Sequence, residues 1–214
     1  MYRAVIFDFD GTIIDTEQHI YETINHYLEE QDEALISRSY YSETIGGSDD
    51  QLRSYLAETI GEEEQTRLYE DIHRSSASLP IRPEIKEIMT MLKQRHIPMA
   101  VATSSYRKDI EEAYNHLELG DFIDVVVGKE DVEEVKPSPE LYLRAVQALN
   151  YNPVNCLAIE DSLNGAESAT TAGLDVVINT NNLTKHHDFS SINYTDKDIT
   201  AEQLIERYFD RGEK

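Results

Sequence analysis

Four short apolar runs, separated by segments of helical periodicity, restrict the folds that this chain can adopt. The runs lie at residues 4–9, 99–104, 124–128 and 156–161, and a fifth candidate lies at residues 175–180. They lack polar alternation, which is typical of strands that helices cover on both faces. Between the runs, segments such as residues 85–92 repeat apolar side chains at every third or fourth position, as amphipathic helices do. The pattern predicts an α/β fold with a doubly wound parallel sheet.

The long segment at residues 16–80 interrupts this alternation. It contains no apolar run typical of a strand, but its apolar residues form amphipathic faces, for example at Ile20, Ile24 and Leu28. A connection of this length is well beyond an ordinary loop. We therefore predict an α/β core formed by residues 1–15 and 81–214, with residues 16–80 inserted as a helical cap. Tyrosines at helical spacing in this segment are interpreted as packing residues.

Composition and charge narrow the classes of partner. The net charge is −23 at pH 7, which argues against nucleic acid or an anionic membrane surface as a partner. No stretch approaches the roughly 18 apolar residues of a membrane span. The single cysteine, Cys156, excludes an intrachain disulfide and a cysteine-rich metal site, and it fits a reducing cytosol. We predict a cytoplasmic protein, and a monomer because no apolar segment is left over for an interface.

Two carboxylates stand where the first apolar run ends. Asp8 and Asp10 lie one residue apart, and Gly11 follows them. Two carboxylates so close repel each other, and keeping both ionised is energetically unfavourable without a cation or a shared proton. A pair of carboxylates that simply faces water is nevertheless common at strand ends. A calcium loop is a poor match, because its glycine comes at the sixth position and Gly11 comes at the fourth. Gly11 lets the chain turn and brings backbone close to whatever binds there.

Polar residues also follow the later apolar runs. Thr103 and Ser104 precede a helix, Lys136 lies in a loop before another helix, and Glu160 and Asp161 end the fourth run. Taken singly, these residues fit a helix cap, a surface lysine and a second helix cap. The carboxyl ends of parallel strands share one edge of a sheet, so together they predict a single site.

The residue types at this edge match the chemistry of phosphate and a hard cation. Carboxylates suit Mg²⁺, which often shares its coordination with a substrate phosphate. Hydroxyl and ammonium groups suit the phosphate itself. A carboxylate nucleophile beside a carboxylic acid completes a phosphoryl-transfer site.

Four motifs carry a resemblance to a known family. DFDGT at 8–12, ATS at 102–104, VKPSPELY at 135–142 and IEDSLNG at 159–165 occur in the order found in the haloacid dehalogenase superfamily. The resemblance covers nearly the whole chain, and the helical insertion after the first motif is similar to that of the β-phosphoglucomutases and related small-molecule phosphatases. It implies a Rossmann-like core with a helical cap.

The resemblance also implies roles for individual residues. Asp8 would attack phosphorus to give an aspartyl-phosphate, and Asp10 would protonate the leaving oxygen and then deprotonate water. Lys136 would screen the charge between Asp8 and phosphate, and Thr103 would bind the phosphoryl oxygens. We expect Ser104 and Gly11 to contribute to the same phosphate site.

The cofactor that the resemblance implies is Mg²⁺. Its expected ligands are Asp8, the backbone carbonyl of Asp10 and Asp161, with Glu160 as a further ligand or as a partner of the ligands. An aspartate at position 10 disfavours carbon–halogen and carbon–phosphorus cleavage, because the branches of the superfamily that carry out those reactions lack it. Hydrolysis or transfer of a phosphate ester remains.

Three departures from the mutase pattern favour a phosphatase over a mutase. Asp49 stands where the mutases have an arginine, Ile20 stands where they have a histidine (His19 is one place off), and Tyr106 replaces a basic residue, although two basic residues follow it. We predict a Mg²⁺-dependent phosphatase of a small phosphate ester. The alternatives are a β-phosphoglucomutase-type enzyme and a non-catalytic Mg²⁺- or phosphate-binding regulatory protein. The presence of both Asp8 and Asp10 disfavours the regulatory protein.

Overall fold

A parallel sheet forms the centre of the protein. The computed structural model describes residues 1–46 and 49–210. Within them the strands are β1 Ala4–Phe7, β2 Met99–Ala102, β3 Val125–Val127, β4 Cys156–Glu160, β5 Asp175–Ile178 and β6 Asp196–Lys197. Their order is β3-β2-β1-β4-β5-β6, and each neighbouring pair is parallel. This order, with its reversal at β1, confirms the predicted doubly wound α/β fold.

Helices cover both faces of the sheet. These core helices are α5 Pro83–Gln94, α6 Arg107–His116, α7 Glu140–Ala148, α8 Leu163–Thr171 and α9 Ala201–Tyr208. Successive residues of a strand point to opposite faces, so β1 contributes to two separate apolar layers. Val5 and Phe7 pack with α5, α6 and α9, whereas Ala4 and Ile6 pack with α7 and α8. All four are fully buried, as the unbroken apolar run predicts.

Two details of the sheet differ from the prediction. The strands are shorter than the apolar runs, and β1 ends at Phe7, so Asp8 and Asp10 lie beyond the strand rather than on it. The two-residue strand β6 was not predicted, because Asp196 and Lys197 carry no apolar signal. Its backbone nevertheless pairs with β5 at the sheet edge.

Residues 16–80, here called the helical segment, contain α1 Thr16–Glu30, α2 Arg38–Ser42, α3 Asp50–Ile60 and α4 Glu62–Ser76. Their buried side chains form a third apolar cluster, which includes Ile24, Leu56 and Ile72 and which Leu183 joins from the sheet side. Ile14 and Ile81 pair in an isolated antiparallel bridge where the chain leaves the α/β part and returns to it. The division into core and cap at residues 16 and 80 stays a prediction. In the part of the chain that the structure describes, no helix is long and apolar enough to cross a membrane.

A buried arginine ties the carboxyl edge of the sheet together. Arg82 is 8% exposed, and its guanidinium donates to the backbone carbonyls of Gly11 at 2.5 Å, Asn179 at 3.2 Å and Thr180 at 2.8 Å. Guanidinium groups present several donors in a fixed plane, so one side chain can hold three carbonyls at once. Arg82 therefore links the turn after β1 to the end of β5.

Replacing Arg82 tests how much this side chain contributes to the free energy of unfolding. Arg82→Met keeps most of the apolar stem but removes the donor of the Asn179 and Thr180 carbonyls and one of the two donors to the Gly11 carbonyl, so we expect the free energy of unfolding to fall by about 3 kcal/mol. Urea denaturation followed by circular dichroism measures the change. The matched control is Arg95→Met, whose guanidinium pairs with the exposed Asp210 at 3.2 Å and should contribute less than about 1 kcal/mol. Equal losses for the two variants would contradict the assignment.

Candidate active site

The predicted polar residues meet at the carboxyl edge of the sheet. Asp8 directly follows β1, Thr103 follows β2 and Asp161 follows β4. β1 lies between β2 and β4, so the ends of the three strands are neighbours. Backbone bonds continue the pairing past the strand ends, since the Asp8 N–H donates to the Ile159 carbonyl at 3.0 Å. Strand order alone therefore brings together residues about 95 and 150 positions apart in the sequence.

Lys136 lies at the centre of the site. Its ammonium group donates to a carboxylate oxygen of Asp8 and, at 2.6 Å, to Oε1 of Glu160. Lys136 is only 2% exposed, so the interpretation of this residue as a surface lysine is wrong. Burial opposes its charge, but the carboxylates of Asp8 and Glu160 outweigh that effect and raise the pKa of Lys136. The lysine is thus held protonated in the interior.

The Glu160 carboxylate is enclosed on all sides. In addition to Lys136, it accepts a hydrogen bond from the Tyr142 hydroxyl at 2.5 Å and one from Ser162 at 3.3 Å. Gly165 faces the same carboxylate, and a Cβ atom at that position would lie 2.1 Å from its carbon and oxygen atoms. These contacts leave Glu160 one orientation, which is directed at Lys136.

Three buried carboxylates form a set that could hold a metal ion. One oxygen from each of Asp8, Glu160 and Asp161 lies within 4.8 Å of the others. The Asp161 carboxylate also accepts hydrogen bonds from Thr12 at 3.0 Å and from Asn181 at 2.7 Å. Such an all-oxygen set, buried and rich in negative charge, fits a hard divalent cation such as Mg²⁺.

The electrostatics of this set favour the binding of a cation. Burial, followed by repulsion from Asp8 and Glu160, raises the pKa of Asp161 well above its ordinary value. Burial also raises the pKa of Asp8 to about 8, although Lys136 opposes that shift. A single ammonium group does not neutralise three carboxylates, so a divalent cation would complete the charge balance.

Asp10 has different neighbours from Asp8. Its carboxylate accepts hydrogen bonds from the hydroxyls of Thr16 at 3.0 Å and Ser105 at 2.8 Å. Burial raises its pKa, and these two hydrogen bonds oppose the shift. One carboxylate of the pair is therefore bound to an ammonium group and the other to two hydroxyls. Environments that differ in this way allow two like residues to take different roles.

Two glycines allow backbone to approach the site closely. Gly11 has a φ of +83°, and a Cβ there would lie 2.6 Å from Oδ2 of Asp161. Gly46 has a φ of +77°, and a Cβ there would lie 2.0 Å from the Ser162 hydroxyl. The Gly46 carbonyl also accepts from Ser104 at 3.5 Å. Ser104 therefore contacts the helical segment at Gly46. The adjacent Gly47 lies outside the described residues.

A cavity of about 580 Å³ separates the carboxylates from the helical segment. Asp8, Asp10 and Thr103 line its sheet side. Of the two basic residues after Tyr106, only Lys108 lines this cavity. The Arg107 guanidinium instead pairs with Glu130 at 3.0 Å and Asp131 at 3.1 Å.

Several residues of the site were not predicted from the sequence. Glu17 is buried beside the cavity, and the Tyr41 hydroxyl donates to it at 2.7 Å. Burial, only partly offset by that hydrogen bond, raises the pKa of Glu17 to about 8. An acidic residue in the first turn of a helix is common, so the sequence carries no distinct signal for it. Asn181, by contrast, lies shortly after the end of β5. Asp8 and Asp161 were predicted from their positions at strand ends, and Asn181 could have been predicted in the same way.

Comparisons with known proteins identify the family of this chain. A sequence model of the haloacid dehalogenase-like hydrolase family matches residues 5–179. The candidate phosphatase YhcW of Bacillus subtilis is 36% identical over 212 residues, covering 96% of this chain and 94% of that protein. The phosphorylated carbohydrates phosphatase of Thermotoga maritima is 30% identical over 179 residues, covering 81% and 82%. CbbY from Rhodobacter sphaeroides, solved in complex with phosphate, is 25% identical with a TM-score of 0.78, covering 95% and 96%. The chain therefore belongs to the haloacid dehalogenase-like hydrolases.

Proposed function

We propose that the protein is a Mg²⁺-dependent phosphatase that hydrolyses the monoester of a small phosphorylated metabolite through an aspartyl-phosphate. One observation carries the proposal: Asp8 is held by a buried ammonium group, while Asp10, two residues on, is held by hydroxyls. This separation suits one carboxylate for nucleophilic attack and the other for proton transfer. The phosphatase names of the relatives support hydrolysis as the outcome.

In the first step, a carboxylate oxygen of Asp8 attacks phosphorus and the ester oxygen leaves. Lys136 fixes the Asp8 carboxylate and places positive charge beside the phosphoryl group. Asp10 donates a proton to the leaving oxygen, and its raised pKa favours the protonated form that this step requires. The products are an alcohol and a mixed anhydride of Asp8 and phosphate.

In the second step, water hydrolyses that anhydride. Asp10, now ionised, accepts a proton from the water, whose oxygen attacks phosphorus and displaces the Asp8 carboxylate. The Thr103 hydroxyl oxygen accepts the Ser105 N–H at 3.0 Å, which orients its own proton toward a phosphoryl oxygen in this proposal. Phosphate leaves and the original carboxylates are restored.

Asp8, Asp161 and the backbone carbonyl of Asp10 would hold Mg²⁺. When bound, the ion supplies positive charge that offsets the charge developing on the phosphoryl oxygens. We assign Glu160 to the orientation of Lys136, because its Oε1 already accepts from both Lys136 and Tyr142. Gly11 and Ser104 shape the backbone around the phosphate position.

Loss of the nucleophile tests the reaction. The purified protein with Mg²⁺ should release phosphate from p-nitrophenyl phosphate, and Asp8→Asn should lower kcat on the order of 10⁴-fold. A chelator should remove the activity and added Mg²⁺ should restore it. Phosphatase activity that is unchanged in Asp8→Asn would contradict the proposal. Conversion of β-glucose 1-phosphate to glucose 6-phosphate without release of phosphate would replace it with a mutase.

The division of roles predicts a distinct defect for Asp10. Nitrophenolate leaves without a proton, but hydrolysis of the anhydride needs a base, so Asp10→Asn should slow the second step more than the first. We expect a burst of about one nitrophenolate per enzyme followed by slow turnover, with phosphoenzyme detected by intact-protein mass spectrometry. Slow turnover with no burst and no phosphoenzyme would contradict the assignment.

A methyl group placed against Glu160 tests the positioning of Lys136. Gly165→Ala introduces a Cβ that would overlap the Glu160 carboxylate, although alanine usually favours a helix over glycine. We expect kcat/KM to fall by roughly 100-fold because the lysine loses its alignment. Gly120→Ala is the matched control, since its Cβ would lie 3.8 Å from Tyr114, an ordinary contact. If both variants keep normal activity, Glu160 does not position the lysine.

A further inference from the structure

The side chain of Asn181 forms hydrogen bonds at both of its polar atoms. Its amide nitrogen donates to Oδ2 of Asp161 at 2.7 Å and to the Gly11 carbonyl at 3.2 Å. Its amide oxygen accepts the backbone N–H groups of Leu183 at 2.9 Å and Thr184 at 3.0 Å. Asn181 is 7% exposed, so water has little access to these four bonds. The side chain is therefore fixed between Asp161 and the turn that follows β5.

The amide of Asn181 is directed at an oxygen of a proposed metal ligand. Asp161 is fully buried, and its other oxygen accepts from the Thr12 hydroxyl at 3.0 Å. Hydrogen bonds of this kind restrict the orientation of a ligating carboxylate, and their loss weakens metal binding. A carboxylate at position 181 would repel Asp161, whereas the neutral amide attracts it. Asn181 thus has the chemistry of a residue that positions a metal ligand.

The turn that Asn181 holds is compact, because it is hydrogen-bonded to itself. The Asn181 N–H donates to the Thr184 hydroxyl at 3.0 Å, and the Asn181 carbonyl accepts the Lys185 N–H at 3.0 Å. Farther along the chain, the His187 N–H donates to the Thr184 carbonyl at 2.9 Å. These bonds constrain residues 181–187, called here the β5 loop, so a displacement of Asn181 is passed on to the rest of the loop.

The β5 loop contacts the helical segment at two points. Leu183 is 3% exposed and belongs to the apolar cluster whose other buried members lie between residues 24 and 72. Nε2 of His187 lies 2.5 Å from the hydroxyl oxygen of Ser42 at the end of α2, which is hydrogen-bond distance. One short loop therefore contacts both a proposed metal ligand and the helical segment.

We propose that the β5 loop couples the binding of Mg²⁺ at Asp161 to the attachment of the helical segment, with Asn181 as the positioning residue. Without a cation, the carboxylates of Asp8 and Asp161 repel each other, and a bound cation removes that repulsion and fixes Asp161 in one orientation. The Asn181 amide is then held in place, and the β5 loop is held against the helical segment. The inference rests on the Mg²⁺ of the proposed function. Because such coupling is reciprocal, loosening of the β5 loop also weakens Mg²⁺ binding.

Calorimetric titration with Mg²⁺ alone tests the positioning role. Asn181→Ala should raise the Kd of Mg²⁺ by about 10-fold or more, the usual effect of removing the hydrogen-bond partner of a metal ligand. The matched control is Asn182→Ala, because Asn182 is exposed, accepts only from Lys185 at 3.3 Å among the described contacts, and should leave the Kd unchanged. An unchanged Kd in Asn181→Ala would overturn the inference.

The titration also separates a loss of affinity from a loss of fold. The fitted stoichiometry reports the folded fraction of the protein, whereas the Kd describes the folded molecules alone. If Asn181→Ala does not fold, Asn181→Ser replaces it. A serine hydroxyl can still accept from the N–H groups of the turn, but it is too short to reach Asp161. The same 10-fold rise in Kd is expected, and an unchanged Kd has the same consequence.

Hydrogen–deuterium exchange of backbone amides tests the coupling. In the wild-type protein, saturation with Mg²⁺ should slow exchange in residues 183–187 and in α2 by about 5-fold, and Asn181→Ala at its own saturating Mg²⁺ should lose most of that change. Thr12→Val removes the other donor to Asp161 without touching the β5 loop, so it should weaken Mg²⁺ binding but keep the slower exchange once saturated. No Mg²⁺-dependent change in the wild type, or an equal change in Asn181→Ala, would overturn the coupling.

The outcomes separate this inference from the proposed function, because neither measurement uses turnover. Mg²⁺ binding and phosphate release that requires Asp8, combined with no effect of Asn181→Ala, would overturn the inference and leave the phosphatase standing. The absence of Mg²⁺ binding in the wild type would overturn both the inference and the metal dependence of the proposed function.

Discussion

The buried ammonium group of Lys136 is the interaction on which the site depends. It joins Asp8, at the end of β1, to Glu160, at the end of β4, and it comes from the loop after β3. Removing Lys136 would leave two carboxylates without their cation in the interior, and breaking a buried ion pair typically costs about 3–5 kcal/mol. The three residues meet only when the strands are paired in register, so the chemistry cannot assemble before the sheet does.

The site could be predicted from the sequence wherever position followed from strand ends. Asp8, Thr103, Glu160 and Asp161 directly follow or end apolar runs, and the parallel sheet places such residues at one edge. Lys136 lies in a loop, so its inclusion in the predicted site depended on the other polar residues near the strand ends and on the family resemblance. The two-residue strand β6 escaped prediction for a related reason, since its pairing comes from the neighbouring backbone and not from its own side chains.

The residues of the cavity wall in the helical segment were harder to predict from the sequence. Asp49 was interpreted as a reversal of charge at a mutase position, and the structure shows that it also neutralises Arg53 one helical turn later. Tyrosines of the helical segment were interpreted as packing residues, which fits Tyr41 and Tyr69 by burial alone. Their hydroxyls differ, because Tyr41 is bonded to Glu17 and Tyr69 has no partner. Tertiary contacts decide that difference, and no sequence pattern encodes it.

Because the net charge of the protein is strongly negative, binding of an anionic substrate depends on local contacts in the site. A net charge of −23 repels an anionic substrate at a distance, so binding must come from groups that touch the phosphate. Lys136, together with the Mg²⁺ that we propose Asp8 and Asp161 hold, would provide that attraction at one point. Farther along the cavity, Arg53 and Lys129 are paired with Asp49 and Asp50, so part of their charge is already offset within the protein.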